Sequence, residues 1–486
     1  MGTKRQILST SAASPARAET SDPACPQLAA PPRAARGSSG LVRAWRLHKN
    51  SLAAWSDDAF REDFIETRML FRRVLIANAP AAVKHVLLDR ADNYVKSFIA
   101  RQLLKPLGQG LLTSEGETWR RQRRTMAPAF HPKRLEGFAP AMVEATLDML
   151  QAWQYGGQGG VRDIAEEMAR LTLDIITRTM FSSDIRERVD EVRDAVRDYQ
   201  RLGGRPALFD LLGLPRWLPR LQRHRIEGAE RVLDEIIYGI IERRRCQAGR
   251  SDDLLGLLLA ARDEETGEGM GDRELRDQIA TIFTAGHETT ANALAWTWYL
   301  VSLHPAVEER LQAELEGVLG ARPPRYDDVP HLGYTRMVVE EAMRLYPPAH
   351  TMSREALAED EIEGHLVPKG SSVVISPWLI HRHEKLWERP LVFDPGRMAP
   401  ERLARVPRYA YIPFGGGPRI CIGAGFAMQE AILIVAAVAQ RFRLELAPGH
   451  EVEPLGLITL RPKGGLPMRL SSRAPHSARW HTAPSL

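Results

Sequence analysis

The sequence predicts a mainly α protein with a smaller β region, an α+β fold, on three observations. From Met142 to Arg245 apolar residues recur with the 3.6-residue period of a helix that buries one face, as at Met168, Leu171, Ile175 and Ile176 and again at Val232, Ile236, Ile240 and Ile241. One helical pattern runs from about Leu275 to Leu303 and stops before Pro305, where the residue preceding a proline is pushed out of the helical region. Two patches read as strand-rich: Met69 to Ala77, and His365 to Ile375, where the turn Pro368-Lys369-Gly370 leads into the β-branched run Val373-Val374-Ile375.

In chain order, residues 1–40 hold nine Ala, six Ser and five Pro and no aromatic residue. Such a segment cannot bury enough surface to offset its ordering entropy, so a disordered N-terminal tail is expected. The tail lacks the apolar core of a secretory signal, which places the protein in the cytoplasm. Its five basic residues against two acidic ones, among many Ser and Ala, also resemble a transit peptide, which leaves the mitochondrial matrix as the alternative. No Pro/Gly/Ser-rich linker and no fixed-period repeat interrupts residues 41–470. That stretch therefore reads as one domain, although 486 residues suggest three at about 150 residues each. Residues 471–486 are polar and read as a flexible C-terminal tail.

The 66 basic and 61 acidic residues are interspersed and leave a net charge of +5, too little to argue for nucleic acid. No stretch approaches the about 18–20 apolar residues that span a bilayer, so no transmembrane anchor is expected. Three cysteines in unrelated contexts, Cys25, Cys246 and Cys421, cannot build a disulfide framework.

The 29-residue helix ending at Leu303 would span roughly 44 Å, the width of a domain this size, so it must cross the core. In its middle, Ala285-Gly286-His287-Glu288-Thr289-Thr290 sets an acid and two hydroxyls beside a small-residue gap. A mid-core charge costs several kcal/mol unless paired or hydrated, so Glu288 is either at the surface or functional. His287-Glu288 begins an H-E-x-x-H zinc pattern, but position 291 is Ala and the second histidine is missing. Farther on, Pro413-Phe414-Gly415-Gly416-Gly417-Pro418-Arg419-Ile420-Cys421-Ile422-Gly423 precedes an apolar helix from Phe426 to Val438. The glycines let the backbone approach a bound group, and the helix aims its first N–H groups at the cysteine. Both effects favour a thiolate, a soft and strongly donating metal ligand. Otherwise Cys421 reads as a small buried hydrophobe in a turn. A dinucleotide loop is excluded, because no strand leads in and G-x-G-x-x-G is incomplete.

Phe414, Gly417, Arg419, Cys421 and Gly423 match F-x-x-G-x-R-x-C-x-G, the haem-binding pattern of the cytochrome P450 superfamily, which the chain resembles over about 41–470. The resemblance implies a cytochrome P450 fold, a triangular single large domain with a long central helix over a buried haem b (iron protoporphyrin IX). Cys421 is then the thiolate ligand of the iron. It implies that Glu341 and Arg344, three apart on one helical face, form the family's E-x-x-R pair and lock to a downstream arginine, Arg397. Met398 stands where the family has an aromatic, which leaves Arg402 open as the third partner. For the haem propionates the resemblance implies Arg123, with Trp119 one helical turn before it, Arg354 and Arg419, since the guanidinium fork pairs with carboxylates bidentately. Arg120 to Arg124 otherwise read as a solvated basic face. In the A-G-x-E-T-T segment, Ala285 and Gly286 leave room for oxygen and substrate where the helix opens locally. There Thr289 hydrogen-bonds the dioxygen, and Glu288 with ordered water relays protons to it.

The function so implied is a monooxygenase that inserts one atom of O2 into a lipophilic small molecule by hydroxylation or epoxidation. No nucleotide- or flavin-binding unit follows the haem segment, so electrons are expected from a separate ferredoxin or flavodoxin with its reductase, serving a monomer. An acidic partner would dock on the cysteine side against Arg120 to Arg124, steered by charge. Substrate contacts are expected in residues 91–112, 196–224 and Ala349–Ser353, where Phe98, Ile99, Leu208, Phe209 and Met352 suit a lipophilic ligand. Two readings stay open beside this one. A peroxide-driven or isomerising haem-thiolate enzyme is disfavoured by the intact Glu288 and Thr289, and a haem-binding sensor has no need of an oxygen-activation motif.

Overall fold

A computed structural model describes residues 26–473 apart from 36, 39, 70–71, 105–106, 156–159, 182–222 and 247–252. The long helix runs from Asp272 to Leu303, 32 residues or roughly 48 Å, and Pro305 opens the next helix, Pro305–Leu319. Every residue from Thr290 to Val301 is buried, as a helix that crosses a core must be. The helices Ile164–Phe181, Gly333–Leu345 and Ala424–Arg441 pack around it. Trp296 of the central helix stacks flat on Tyr346, ring centroids 4.1 Å apart. The periodic stretch from Met142 to Arg245 divides into the helices Pro132–Tyr155, Ile164–Phe181 and Arg223–Cys246, with residues 182–222 outside the described set. Among the described residues no helix is long and apolar enough to cross a membrane.

The first strand-rich patch and the second half of the other meet in one sheet, while His365–Val367 pairs separately with Asp360–Ile362. Residues 69–77 contain the second arm of a hairpin, Phe64–Met69 antiparallel to Arg72–Ala77; Glu66 and Arg68 break the apolar run of the first arm and hide it from a sequence reading. The second patch splits into His365–Val367 and Ser372–Ile375 around the 368–370 turn, with Gly370 at φ 79°. Edge to edge the sheet runs Phe64–Met69, Arg72–Ala77, Ser372–Ile375, Met352–Ala356 and Tyr94–Lys96, parallel only between the second and third strands. This register places Lys96 directly opposite Arg354, a like-charge pair that costs stability unless an anion lies beside it.

The tail boundaries differ from the sequence expectation. Ala29 donates its N–H to the Tyr299 hydroxyl at 3.1 Å and accepts from the Tyr346 hydroxyl at 2.8 Å, and Ala34 bridges to Ser56. Residues 26–35 are thus pinned to the core by two tyrosines that a composition argument does not see. At the other end Ser471 and Ser472 complete the strand Pro467–Ser472.

One buried acid holds the central helix against the helix Ala424–Arg441. Glu430 is 2% exposed and bonds Thr290. Burial pushes its carboxyl up to about 8, only partly offset by its contact with the Thr290 side chain. Below the ordinary 4.5 both folded and unfolded chains are protonated; between 4.5 and about 8 only the unfolded chain ionises, so this group's contribution falls across that window and is flat above it. Glu430→Gln is therefore expected to leave the melting temperature near pH 5 unchanged and to raise it near pH 8 by about 3 °C, read by calorimetry on the holoprotein.

Candidate functional site

The cysteine loop is folded by its own backbone. The Cys421 N–H donates to the Phe414 carbonyl at 2.9 Å and the Ile420 N–H to the Gly417 carbonyl at 3.1 Å. Gly417 lies at φ +66°, and a Cβ there would sit 1.7 Å from the Leu87 carbonyl oxygen, so no other residue fits. Gly423 caps the helix Ala424–Arg441, which starts two residues before the predicted Phe426, and its N–H bonds the Cys421 sulfur. A Cβ on Gly423 would meet only the Phe130 ring at 3.9 Å, so protein contacts alone do not demand glycine at that position. The accessible surface of Cys421 opens on a cavity while protein encloses its other sides. Burial pushes the thiol up, and the Gly423 N–H and Arg123 only partly offset this. The helix-end N–H therefore favours the thiolate as expected, enclosure opposes it, and a ligated metal would deprotonate such a thiol outright.

The cavity has a volume of about 740 Å³. Phe414, Arg419 and Cys421 form one wall, and Ala285, Gly286, Glu288 and Thr289 of the central helix line it as well. One region is cationic. Arg419 donates to the Ser114 carbonyl at 3.1 Å, pairs with Glu115 and lies 4.3 Å over the Trp119 ring. Lys96 Nζ is 3.3 Å from Glu115, and Arg354 donates to the Ser353 carbonyl at 3.1 Å without an ion pair among the described residues. Three cations thus surround one carboxylate, an excess of two positive charges. Burial, reinforced by the neighbouring arginine Arg419, pushes Arg354 down to about 10 and Lys96 down to about 8. A group with two carboxylates and a thiolate-seeking metal fits this donor set, as haem does with its two propionates.

Several sequence expectations move. Arg123 and Trp119 both line the cavity as expected; Arg123 also donates to the Ile420 carbonyl at 2.8 Å and so clasps the cysteine loop, while the Trp119 ring lies under Arg419. The Arg120 to Arg124 face is not a free cationic surface: Arg121 pairs with Glu274 at 2.6 Å, Arg124 with Asp263 at 2.8 Å, and Arg120 with Asp92 and Glu117. Burial pushes Asp263 up, but the Thr266 and Glu265 N–H groups and Arg124 outweigh it and hold the carboxyl at about 2. Lys96 and Glu115 were not legible in the sequence, since only the sheet register joins them to Arg354.

The central helix is helical throughout and does not open at 285–289. Thr289 donates to the Ala285 carbonyl at 2.7 Å and Thr290 to the Gly286 carbonyl at 3.1 Å, so hydroxyls engage the carbonyls that an opening would free. Gly286 lines the cavity and also lets the adjacent helix come close, since a Cβ there would be 2.4 Å from Ile176 Cδ1. Glu288 Oε1 accepts from Thr459 Oγ1 at 2.8 Å. Of the expected substrate contacts, Ile99 and Met352 line the cavity and Phe98 does not, while Leu208 and Phe209 lie outside the described residues.

Behind the loop, Glu341 and Arg344 are fully buried and bidentate at 2.7 and 2.8 Å. Arg397 Nε approaches Glu341 at 3.3 Å, whereas Arg402 pairs with Asp394 at the surface, so Arg397 is the third member.

Comparison with known proteins gives the same picture. The family model described as Cytochrome P450 matches residues 57–465. The chain is 39% identical over 395 residues to cyclooctatin synthase of Streptomyces melanosporofaciens, covering 81% of this chain and 85% of the relative. It is 37% identical over 393 residues to cyclooctat-9-en-7-ol 5-monooxygenase of the same organism, covering 80% and 83%. The crystal structure of the cytochrome P450DA heme domain matches with a TM-score of 0.79 at 27% identity, over 93% of this chain and 99% of that one.

Proposed function

The chain belongs to the cytochrome P450 family, and on that premise we propose that it hydroxylates a cyclic terpenoid. It is a haem-dependent monooxygenase that places one atom of O2 in a lipophilic small molecule, with electrons from a separate redox partner. The observation that carries the reading is one apolar cavity bounded by Cys421, by Glu288 and Thr289, and by the Lys96, Arg354 and Arg419 cluster. The terpenoid class is supported by the name of the relative that acts on cyclooctat-9-en-7-ol, together with the hydrocarbon walls Ile99, Leu103, Leu111, Ile282 and Ile458.

In this reading Cys421 ligates the iron and the three cations hold the propionates. We take the haem to be of the b form; the sequence carries no C-x-x-C-H motif for c-type attachment. When bound, haem supplies the redox iron at which O2 is activated. The protein's own part is positional. The Thr289 hydroxyl proton is committed to Ala285, so its oxygen accepts from donors in the cavity. Glu288 carries the carboxylate that moves protons inward. The apolar walls exclude water from the C–H bond to be oxidised. For the electron donor we infer a small ferredoxin or flavodoxin docking beside the 44%-exposed Ile420. Arg120 is free to exchange its exposed ion pairs for a partner's carboxylates at little cost, whereas Arg121 and Arg124 are committed inward.

The test is a spin-state titration with cyclooctat-9-en-7-ol, lauric acid and testosterone, followed by product analysis under labelled oxygen. A shift and a singly oxygenated, labelled product from the terpenoid are expected; response to the fatty acid or steroid alone overturns the class. Product formation that needs reductant and O2 together separates this activity from a peroxide-driven one. Glu288→Gln is expected to lower reductant-driven product formation by about 100-fold while leaving the ligand titration unchanged.

A further inference from the structure

We propose that Thr459 is the positioning residue for Glu288, tying the proton-relaying carboxylate to the turn that also walls the substrate cavity. This rests on Glu288 as the proton relay. Residues 457–459 form the turn between the short strands Pro454–Gly456 and Leu460–Pro462, and Leu457, Ile458 and Thr459 all line the cavity. Glu288, Asn292 and Trp296 succeed one another at one-turn intervals on the central helix and so present one face. Each residue of that face is engaged with the turn or the strand after it. The Trp296 Nε1–H donates to the Leu460 carbonyl at 3.1 Å, Asn292 Nδ2 donates to Thr459 Oγ1 at 3.3 Å, and Thr459 Oγ1 donates to Glu288 Oε1 at 2.8 Å.

The direction of this relay is fixed by valence. A threonine hydroxyl has one proton; with the Asn292 amide occupying a lone pair, that proton points at Glu288. Among the described residues Glu288 has no ion pair, so the hydroxyl is what holds a half-buried carboxylate in place. The turn is rigid enough to serve. His350, fully enclosed and pushed down to about 4 by burial, is neutral and donates from Nε2 to the Leu457 carbonyl at 2.9 Å, while the Leu457 N–H bonds the Thr459 carbonyl at 3.0 Å. A ligand resting on Ile458 and the acid that feeds protons to the reaction therefore share one short bracket.

The test compares Thr459→Val, Thr459→Ser, Glu288→Gln and the Val/Gln double variant as holoenzymes. Each receives electrons from a plant-type ferredoxin and its reductase under air, without added substrate. Two electrons and two protons convert O2 to hydrogen peroxide; four of each convert it to two waters, so a poorly supplied proton relay raises the peroxide share. Thr459→Val is expected to raise that share at least twofold, Thr459→Ser to restore it, and the double variant to match Glu288→Gln. Thermal unfolding midpoints of the same four proteins supply a readout independent of turnover: in the double-variant cycle the second change is expected to cost less than half of what it costs alone. Thr459→Ser as defective as Thr459→Val, or fully additive midpoints, overturns the inference. So does an unchanged peroxide share in Thr459→Val while Glu288→Gln raises it. An unchanged share in Glu288→Gln overturns the relay reading itself and this one with it.

Discussion

Cys421→Ala is expected to abolish the thiolate-type absorption of the reduced carbon monoxide complex and to lower monooxygenase turnover by about 1000-fold or more, the scale reached when one member of a catalytic unit is removed. The substitution is conservative for the loop. Its fold rests on the 421 N–H to 414 carbonyl bond, the Gly417 close approach and the Arg123 clasp on Ile420, none of which uses the sulfur. Propionate contacts from Lys96, Arg354 and Arg419 also survive, so the variant should still take up haem. No replacement ligand is at hand: His350 is the one histidine among the described lining residues, and its nitrogens are engaged by the Leu457 carbonyl and the Thr351 hydroxyl. Cys246→Ala, at an exposed cysteine, is the control and should leave the spectrum unchanged. A thiolate-type spectrum that persists in Cys421→Ala would sink the assignment of the ligand.

The parts of this site that could be read from sequence are those whose chemistry is local. Phe414 to Gly423 is one loop, Glu341 and Arg344 sit one turn apart on a helix, and Glu288 and Thr289 are adjacent, so spacing alone brings their groups together. What sequence hides is set by register and by packing between distant elements. Lys96 meets Arg354 only because Tyr94–Lys96 pairs antiparallel with Met352–Ala356, and Glu115 becomes their counter-charge only when Arg419 is folded over it. The same blindness misreads charge in the other direction: Arg121 and Arg124 look like a docking face until Glu274 and Asp263, about 140–150 residues away, are packed against them. Composition likewise assigns Ala29 to a tail, because it does not see two tyrosine hydroxyls waiting on the core. The close approach of Ile176 to Gly286 is likewise a matter of packing between helices that no local motif shows.

Arg344→Ala is expected to yield little or no holoprotein, and the reason reaches from the core to the cysteine loop. Arg344 uses all five of its N–H donors: Nε and Nη2 on Glu341, Nη1 on the His381 and Pro390 carbonyls, and Nη2 again on the Val392 carbonyl at 3.1 Å. Glu341 also accepts from the Asp394 N–H at 3.1 Å and from Arg397. His381, pushed down to about 3 by burial and by Arg344 and Arg382, stays neutral and accepts the Ile412 N–H at 2.9 Å, two residues before Phe414. Removing the guanidinium therefore takes the bidentate partner from a fully buried carboxylate, which keeps only Arg397 and the Asp394 N–H, strands three carbonyls and releases the support of the loop that carries Cys421. Breaking one side of such a buried pair costs about 3–5 kcal/mol. Arg344→Lys keeps the charge but not the fork, and should rescue little. The distinguishing variant removes both charges. Glu341→Leu with Arg344→Met removes the buried carboxylate along with its partner and leaves Arg397 only the Glu388 and Arg389 carbonyls, so it should recover more folded protein than Arg344→Ala, while haem content stays below wild type because His381 and Ile412 have lost their anchor. Soluble yield and haem-to-protein ratio measure the two effects separately. A double variant no better than Arg344→Ala would mean that the carbonyls at 381, 390 and 392, rather than the buried carboxylate, account for most of the loss.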